Sequence, residues 1–563
     1  MFNRYILKCI VIILVLLFLT AGKRAPTKEA FRGFGLTNSN IPAIVKASSK
    51  AGITLHRSGE NIIWSTIEKT YLGERDWSRP DKFVRELQES GADLVLWLIP
   101  DKTSRKISGR KQDHYGYYPA RFMNRWEKFV TDVVERYDGD GVKDMPGLKY
   151  PVRYYQLGNE WYLVGESWKG TTNEYIETLK TTYKAVKSAD PNTYLILNEI
   201  SDIDPYHVLS MAKSEDYEEQ DILTLSPEIL LKRLKAAAPQ WQKNFDFVER
   251  ILAATDYYDI AISHSNHDYK QVWYMTEFMK YLMTKNGGQE RPIWSGDSAS
   301  MILLGTRLIS MPPWAHQNMS EEDKSLNQLQ LQLLAILDSR NKKKGRENNL
   351  HRYFNEQGWS LPKPNDQVYQ AAWTWHNKIQ AQVVVKKIVA AIDAGRNAVF
   401  ITGAYDWPHY PMVEWRYTGL VNLTNKSPRP AMQAYANLVE TIEGFKEVKK
   451  LDMKDYKIFA FSFKFSNNKE VIVAWYDDFD LDLPYFEAGS DNKYLDDIPD
   501  RLKLTTSKKR NKEITLPVRS AKVTVEKIQI NKQPPQPEVV LTTNGMLSIN
   551  LTETPVIIKP VGN

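Results

Sequence analysis

Short apolar runs alternate with longer amphipathic stretches between Phe31 and Thr402. The runs are typical of buried strands, and the stretches between them place apolar residues at helical spacing. The predicted strands are Phe31–Leu36, Ile53–Arg57, Ala92–Ile99, Val152–Leu157, Tyr194–Leu197, Tyr258–Ser263, Pro292–Trp294 and Asn397–Thr402. Repeated strand–helix units with apolar strands predict an α/β fold, a (β/α)8 TIM barrel, in which functional residues follow the C-terminal ends of strands.

The amphipathic stretches predict the helices of this barrel. They are Ile41–Ala51, Asp81–Ser90, Pro119–Tyr137, Thr172–Ser188, Val272–Lys285 and Lys378–Ala394. Two connections are too long for simple strand–helix turns, namely Ser201–Thr255 and Ser298–Gln370. Both are charged and rich in helical pattern, so we expect them to shape or cover the cleft at the barrel rim.

From Leu451 onward the hydrophobic period changes from helical spacing to strict alternation. Such alternation, interrupted by Asn, Gly, Pro and Asp turns, predicts a β-sandwich. Its predicted strands are Lys457–Phe463, Glu470–Tyr476, Glu513–Val518, Ser520–Ile530, Val539–Thr542 and Leu547–Leu551. We therefore expect a barrel domain over residues 23–445 and an all-β domain over residues 446–563. The second domain is interpreted as structural, with a carbohydrate-binding module as the alternative.

The N-terminal residues have the pattern of a secretory signal peptide. Arg4 and Lys8 precede an apolar run from Ile10 to Leu19, and the small residues Thr20–Gly22 follow it. This order of charge, apolar run and small residues predicts a signal peptide over residues 1–22, and hence a secreted or periplasmic, cell-envelope protein. The run is short for a membrane span, and an uncleaved N-terminal anchor is the alternative.

Composition and charge exclude several classes of site. The formal charge of +7 is spread over interspersed lysines and acids, so no nucleic-acid partner is indicated. The single cysteine, Cys9, lies in the predicted leader, which excludes disulfides and cysteine–metal sites from the processed chain. His264 and His267 are closely spaced, but no third ligand stands at a zinc spacing, so we predict no metal site. The oligomeric state is left open.

The most informative stretch runs from Val152 to Trp161, V-R-Y-Y-Q-L-G-N-E-W. It predicts a buried strand that ends at a glycine and then presents Asn159, Glu160 and Trp161. A carboxylic acid can protonate a glycosidic oxygen, an amide can bind a ring hydroxyl, and an indole can stack on a pyranose face. The chain is also rich in aromatic residues (12%), which suits a carbohydrate site or a large core.

The order of several motifs resembles a known group of enzymes. G-N-E stands at Gly158–Glu160, D-I-A-I-S-H at Asp259–His264, R-P-I-W-S-G-D at Arg291–Asp297 and L-T-E-T-P-V at Leu551–Val556. Together they resemble the clan of (β/α)8 retaining glycoside hydrolases that includes β-xylosidases, α-L-iduronidases and cellulase-like enzymes. The xylosidase/iduronidase-like family with a C-terminal β-sandwich is the most similar. The resemblance covers roughly residues 30 to 560.

The resemblance implies a role for each matching residue. Glu160 would be the general acid/base, Asn159 would contact the substrate 2-hydroxyl, and Arg57 would steady the nucleophile. His264 corresponds to the residue that the sixth strand supplies. No metal or organic cofactor is required, and the implied activity is hydrolysis of an oligo- or polysaccharide. For Arg57 the alternative is an ordinary charge partner inside the barrel, and for His264 it is a hydrogen-bonded barrel residue.

Three tryptophans are candidate stacking planes for a sugar. Trp161 follows the predicted acid/base, and Trp64 follows the second strand. Trp407 follows the eighth strand, where the resembled clan has an aromatic residue. All three are therefore predicted to bind substrate.

The nucleophile position departs from the family pattern. The family has P-I-W-x-T-E, whereas this chain has P-I-W-S-G-D, with Gly296 in place of threonine and Asp297 in place of glutamate. An aspartate side chain is shorter by one methylene, about 1.5 Å. Three outcomes stay open: Asp297 attacks the anomeric carbon, Asp297 activates a water with inversion, or hydrolysis is lost. In the last case the protein would be a non-catalytic carbohydrate-binding protein on a degenerate glycosidase barrel.

Two other glutamates are candidates of lower standing. W-Y-M-T-E-F at Trp273–Phe278 imitates the missing T-E motif, but its helical spacing predicts that Glu277 lies outside the barrel. Glu199 follows the fifth strand and could reach the pocket. We interpret it as part of a salt bridge on the rim.

Overall fold

The parallel strands predicted from the sequence form a barrel. The computed structural model describes residues 31–561 except 58, 60, 69–72, 107–112, 162–166, 201–225, 238–241, 267–268, 302–332, 341–354, 356–357, 359–360, 362, 408–414, 423–424, 478–510 and 532. The barrel strands are β1 (Gly33–Thr37), β2 (Ile53–Arg57), β3 (Asp93–Ile99), β4 (Tyr154–Leu157), β5 (Tyr194–Ile196), β6 (Ala261–Ser265), β7 (Ile293–Ala299) and β8 (Ala398–Thr402). They pair in the order β5-β4-β3-β2-β1-β8-β7-β6, all parallel.

The barrel closes between β5 and β6 through the residues that follow β5. The amide of Leu197 donates to the carbonyl of Ile260 at 2.8 Å, and the amide of Ile200 donates to the carbonyl of Ile262 at 3.1 Å. The predicted (β/α)8 fold is confirmed.

Inward-facing residues divide the barrel interior into an apolar and a polar layer. Alternate strand positions point inward, and those nearer the N-terminal ends are apolar. They are Leu55, Val95, Trp97, Tyr154, Ile196, Ile260, Ile262, Trp294, Ala398 and Phe400. Nearer the C-terminal ends the inward positions become polar, among them Arg57, Gln156 and Thr402, which are all buried. The polar end is where a site can form.

Helices cover the outside of the barrel with their apolar faces. They are α1 (Pro42–Lys50), α2 (Ser78–Glu89), α3 (Met123–Tyr137), α4 (Thr172–Ala189), α5 (Pro227–Ala237), α6 (Gln242–Ala253), α7 (Gln271–Thr284), α8 (Asp366–Asp393) and α9 (Pro430–Ile442). Most were predicted, but α8 begins well before the expected start at Lys378, inside the second long connection. Among the described residues, none of the helices combines the length and apolar character needed to span a bilayer.

Some described features of the barrel were not predicted. A β-hairpin of Asp101–Lys106 and Asp113–Tyr118 follows β3. β7 continues to Ala299, beyond the predicted core of Pro292–Trp294. By contrast, helices α5 and α6 lie within the first long connection, where the sequence pattern predicted helix. The predicted leader with Cys9, and His267, lie outside the described residues.

Antiparallel sheets follow the barrel, as the alternating pattern predicted. Their strands are β9 (Glu447–Lys450), β10 (Ile458–Lys464), β11 (Glu470–Tyr476), β12 (Asn511–Pro517), β13 (Lys522–Lys527), β14 (Glu538–Leu541), β15 (Met546–Thr552) and β16 (Val556–Pro560). Six form one sheet in the order β9-β10-β11-β16-β13-β14, and β12 pairs with β15. β9 and β16 were missed by the sequence pattern.

The central strands of the six-stranded sheet are buried on both faces, whereas its edge strands β9 and β14 are mostly exposed. One face packs on the β12–β15 ribbon through residues such as Ile472, Leu516 and Leu547. The other packs on barrel helices α8 and α9, and there Phe461 and Trp475 belong to the same apolar cluster as the helix residues. This packing explains why β10 and β11 are buried along almost their whole length rather than at alternate positions.

Candidate functional site

Glu160 stands just beyond β4 on a turn of unusual backbone conformation. Gly158 has φ of 79° and Glu160 has φ of 55°, a left-handed value that is uncommon for a residue with a side chain. A Cβ at position 158 would lie 2.5 Å from the ring of Trp161, so the close approach of this indole also requires glycine. The amide of Glu160 donates to the carbonyl of Glu199 at 3.2 Å, which holds the turn against the end of β5. The carboxylate is 43% exposed and faces the open end of the barrel.

Asp297 lies on a β-bulge in β7. The pairing of β7 with both of its neighbours shifts between Ser295 and Ser298, which leaves Gly296 and Asp297 as the bulged residues. The hydroxyls of Ser295 and Ser298 are 2.9 Å apart, so both serines lie on one face of the strand despite their odd spacing. The bulge turns Asp297 toward the barrel interior, where its side chain is 15% exposed.

Arg57, the last residue of β2, joins the groups around the site. Its Nε donates to Gln156 Oε1 at 2.7 Å, and its Nη1 donates to Asp297 Oδ1 at 2.9 Å. Its Nη2 donates to Asn159 Oδ1 at 2.6 Å and also contacts a carboxylate oxygen of Glu199. The planar guanidinium therefore fixes side chains from three other strand ends at once.

His264 on β6 lies between three carboxylates. Its Nδ1 is 3.5 Å from Glu160 Oε1, and its Nε2 is 3.4 Å from Glu199 Oε2 and 3.6 Å from Asp297 Oδ2. Glu160 and Asp297 thus contact opposite nitrogens of one ring, so their oxygens lie within about 10 Å of each other, the span of glycosidase carboxyl pairs. Burial lowers the pKa of His264, but the charge of Glu199 and then of the other two acids outweighs it and raises this pKa to about 10.

Asp297 is held as an anion by its surroundings. Burial favours the neutral acid, but Arg57 and the His264 ring together outweigh burial and hold the pKa of the Asp297 carboxyl below its usual range. Hydroxyls contribute in the same direction, since Thr402 Oγ1 donates to Asp297 Oδ1 at 3.1 Å. At neutral pH this site therefore presents an ionised Asp297 beside a cationic imidazole.

Two of the three predicted stacking tryptophans are in the core, which contradicts their predicted contact with a sugar. Trp161 is fully buried and stacks on Trp168 with ring centroids 5.0 Å apart. Trp64 is also fully buried, and its Nε1 donates to Glu68 Oε2 at 3.1 Å. An indole satisfies a core position as well as a sugar site, and sequence alone does not separate the two. Trp407 is half-buried beyond β8, with its ring 6.3 Å from that of Tyr405.

The two glutamates of lower standing have different outcomes. Glu277 lies on α7 with its side chain 63% exposed, paired with Lys280 at 2.7 Å, so the prediction that it lies outside the barrel is confirmed. Glu199 is fully buried and contacts Arg57 and His264. It therefore forms a salt bridge, as interpreted from the sequence, but in the buried interior of the barrel and not on an exposed rim.

The site also contains a group of donors that sequence spacing did not reveal. Glu199, His264 and Asp297 offer ligand atoms that lie within 4.8 Å of one another. The spacing of residues around His264 in the sequence does not reveal this group, because the barrel brings the three side chains together from separate strands. Arg57 and the protonated ring already supply positive charge to both carboxylates.

Solved structures with this fold include glycoside hydrolases. A family 39 glycoside hydrolase from the gut symbiont Bacteroides cellulosilyticus WH2 matches with a TM-score of 0.51 at 12% identity, over 95% of this chain and 82% of that chain. A glucosidase from Croceicoccus marinus has a TM-score of 0.49 at 11% identity, over 96% of this chain and 98% of that chain. A GH39 enzyme from Xanthomonas axonopodis pv. citri has a TM-score of 0.49 at 12% identity, over 96% of each chain. No known family's sequence pattern matches the chain, and no characterised protein matches it in sequence. At these identities the likeness concerns the fold, a (β/α)8 barrel followed by a β domain.

Proposed function

We propose that the protein is a glycoside hydrolase in which Glu160 is the general acid/base and Asp297 is the nucleophile or the base. The observation that supports this assignment best is the placement of the two carboxylates on opposite nitrogens of the His264 ring at the open end of the barrel. Glycosidic cleavage needs one carboxyl group that exchanges a proton and a second that stays ionised. The more exposed Glu160 suits the first role, and Asp297, whose pKa is lowered, suits the second.

Glu160 is suited to exchange protons with substrate. Its side chain is the most exposed of the three acids, so a glycosidic oxygen can approach it from solvent. As the sugar–oxygen bond breaks, Glu160 donates its proton to the leaving oxygen, which departs as a neutral hydroxyl. Asn159 lies beside it on the same turn, with its Oδ1 engaged by Arg57, which leaves the amide NH2 to donate to a sugar hydroxyl.

Asp297 is suited to act on the anomeric carbon from the other side. As nucleophile it forms a glycosyl ester while the leaving group departs, and Glu160 then takes a proton from the water that hydrolyses this ester. As base it takes a proton from a water that attacks the carbon directly, and the anomeric configuration inverts. Carboxyl separations of ~5–5.5 Å accompany the nucleophilic, retaining mechanism, and separations of ~6.5–9.5 Å accompany the inverting mechanism. Proton NMR distinguishes the two mechanisms by the anomeric configuration of the first-formed product.

The test compares hydrolysis of aryl glycosides by the wild type, Glu160→Gln and Asp297→Asn. We expect each variant to lower kcat/KM by about 10²- to 10⁴-fold, because each removes a group that changes charge in the transition state. Glu277→Gln is the matched control, since it makes the same substitution on the exposed face of α7 and leaves activity unchanged. Equal turnover by Glu160→Gln and the wild type would remove Glu160 from the mechanism.

A non-catalytic carbohydrate-binding protein is the alternative, and the aspartate at position 297 favours it. In that case the wild type binds oligosaccharides in a glycan array without releasing product. Asp297→Glu separates the alternatives, because it restores the family's longer acid. A gain of hydrolysis would identify a degenerate site, whereas we expect a loss, since Arg57 and Thr402 already fix the shorter carboxylate.

A further inference from the structure

We infer that Glu199 is a positioning residue for Asp297, and that Gly296 is required because it leaves room for the Glu199 carboxylate. This inference rests on the proposed function of Asp297. Glu199 is fully buried, so it does not meet substrate itself. Its Oε1 accepts a hydrogen bond from the backbone amide of Asp297 at 2.7 Å, and its Oε2 contacts Arg57 Nη2.

The hydrogen bond to the Asp297 amide compensates for the bulge in β7. In a regular strand this amide would pair with a neighbouring strand, but the pairing with both neighbours is interrupted between Ser295 and Ser298. The carboxylate of Glu199, which follows β5, accepts the hydrogen bond that the Asp297 amide would otherwise donate within the sheet. The bulge that turns Asp297 toward the pocket is therefore held by a side chain and not by the sheet.

Gly296 is needed for space. A Cβ at position 296 would lie 1.7 Å from Glu199 Oε1 and 2.5 Å from its Cδ, and it would also approach Ile262 Cγ1 to 2.9 Å, so the carboxylate is the closest obstacle. The backbone of Gly296 does not have a positive φ, so its conformation alone would also allow a residue with a side chain. The resembled family has a threonine at this position. The glycine in this chain and the buried carboxylate beside it form a matched pair, which we call the 199–296 pair.

Only a carboxylate satisfies the partners of the Glu199 side chain. The Asp297 amide and Arg57 Nη2 are both donors, and they approach different oxygens of the group. A glutamine in the same place has one acceptor oxygen and one donor nitrogen, so one of the two contacts becomes donor against donor. The variant Glu199→Gln therefore removes either the support of Asp297 or the contact with Arg57.

The charge of Glu199 also acts on His264. The charged groups that face the ring are Glu160 beyond β4, Glu199 beyond β5, Asp297 on β7 and, through these acids, Arg57 on β2. Glu199 is the largest favourable influence on the charged ring. Its neutralisation therefore lowers the pKa of His264.

The test is a double-mutant cycle on the full chain with Gly296→Ala, Glu199→Ala and their combination, measured as kcat and KM on the aryl glycoside that the wild type hydrolyses. We expect Gly296→Ala to lower kcat about 100-fold in the wild type, and by about tenfold at most once Glu199 is alanine and only the contact with Ile262 remains. KM changes little, since neither residue meets substrate. Equal costs of Gly296→Ala in both backgrounds would overturn the inference, and far-UV circular dichroism checks that each variant is folded.

A second measurement does not need turnover. Urea unfolding of the wild type, Gly296→Ala, Glu199→Ala and the double variant measures the coupling between the two positions in the folded protein. We expect Gly296→Ala to lower the urea midpoint of the wild type more than that of Glu199→Ala, because in the latter background the added methyl group meets no carboxylate. If the wild type hydrolyses no glycoside, the proposed function fails and this unfolding cycle alone decides on the 199–296 pair. Equal shifts of the midpoint in both backgrounds would overturn the pair.

Discussion

At the scale of single residues, the site is a balance of buried charge. Arg57 and His264 face Glu160, Glu199 and Asp297, and each cation contacts more than one acid. Buried charges are tolerated in proteins only when they are paired in this way. The balance explains why the histidine is cationic and Asp297 anionic at neutral pH, and the proposed mechanism uses the Asp297 anion.

The raised pKa of His264 predicts how stability depends on pH. The folded-state pKa of about 10 lies above the ordinary value of 6.5, so the protonated ring stabilises the fold fully below about pH 6.5. This contribution, on the order of a few kcal/mol, is lost as the pH rises from about 6.5 to 10. We expect the urea midpoint of the wild type to fall more steeply over this range than that of His264→Gln.

The control for this prediction is His376→Gln. Burial and then the charge of Arg429 lower the pKa of His376 to about 3, so its ring stays neutral throughout the range. His376→Gln removes a buried imidazole and leaves the pH slope of the wild type unchanged. A slope for His264→Gln equal to that of the wild type would contradict a cationic ring.

The sequence predicts those site residues whose position is set by a single strand, because each is found from the local pattern of that strand. These groups lie at or near the C-terminal ends of strands, and the barrel brings them together; they are Arg57, Asn159, Glu160, His264 and Asp297. Glu199 also follows a strand, but its role depends on the space at Gly296, a contact between two strand ends that no local pattern encodes. The only local indication of this contact is Gly296 itself, because a glycine within a strand often marks a bulge or a close approach of another group.

At the scale of elements, the segment between β4 and α4 fixes Glu160. Trp161 packs on Trp168, and α4 begins at a capping box in which Thr171 Oγ1 accepts from the Glu174 amide at 3.2 Å. The strand and helix were predicted from their patterns. The two indoles were not assigned to the core, because their packing depends on the backbone turn at Gly158 and Glu160.

Trp161→Phe distinguishes a core role from a substrate role for this element. We expect the free energy of unfolding to fall by about 1–3 kcal/mol, because the smaller ring leaves a cavity among Tyr117, Trp168 and Tyr175. KM for the aryl glycoside should stay within about twofold of the wild type, since the indole is fully buried. A tenfold rise in KM at unchanged stability would instead support the stacking role predicted from the sequence.

At the scale of the whole molecule, the β domain is joined to the barrel through a large buried face. Tyr269, which follows β6, donates its hydroxyl to Asp477, and Lys386 on α8 lies 3.4 Å from the same carboxylate. Trp475 Nε1 donates to the Tyr269 hydroxyl at 3.1 Å. The sequence predicts an all-β domain here from its alternation, but the second buried face of the sheet appears only when the barrel helices are in place.

Deletion of the β domain should therefore impair the barrel itself. The side chains of Phe459, Phe461, Phe463 and Trp475 are all buried, and they share one apolar cluster with Ile388 on α8 and Leu438 on α9. Removing residues 446–563 exposes this helix surface to water, so we expect the shortened chain to aggregate or to lose cooperative unfolding. Sedimentation and thermal unfolding of the fragment 23–445 measure this effect.

If the β domain were a carbohydrate-binding module, the barrel alone would stay soluble and active, and the fragment 446–563 would bind glycans. Because the sheet aromatics face the barrel and not solvent, we expect neither result, and either one would contradict a structural role for the β domain.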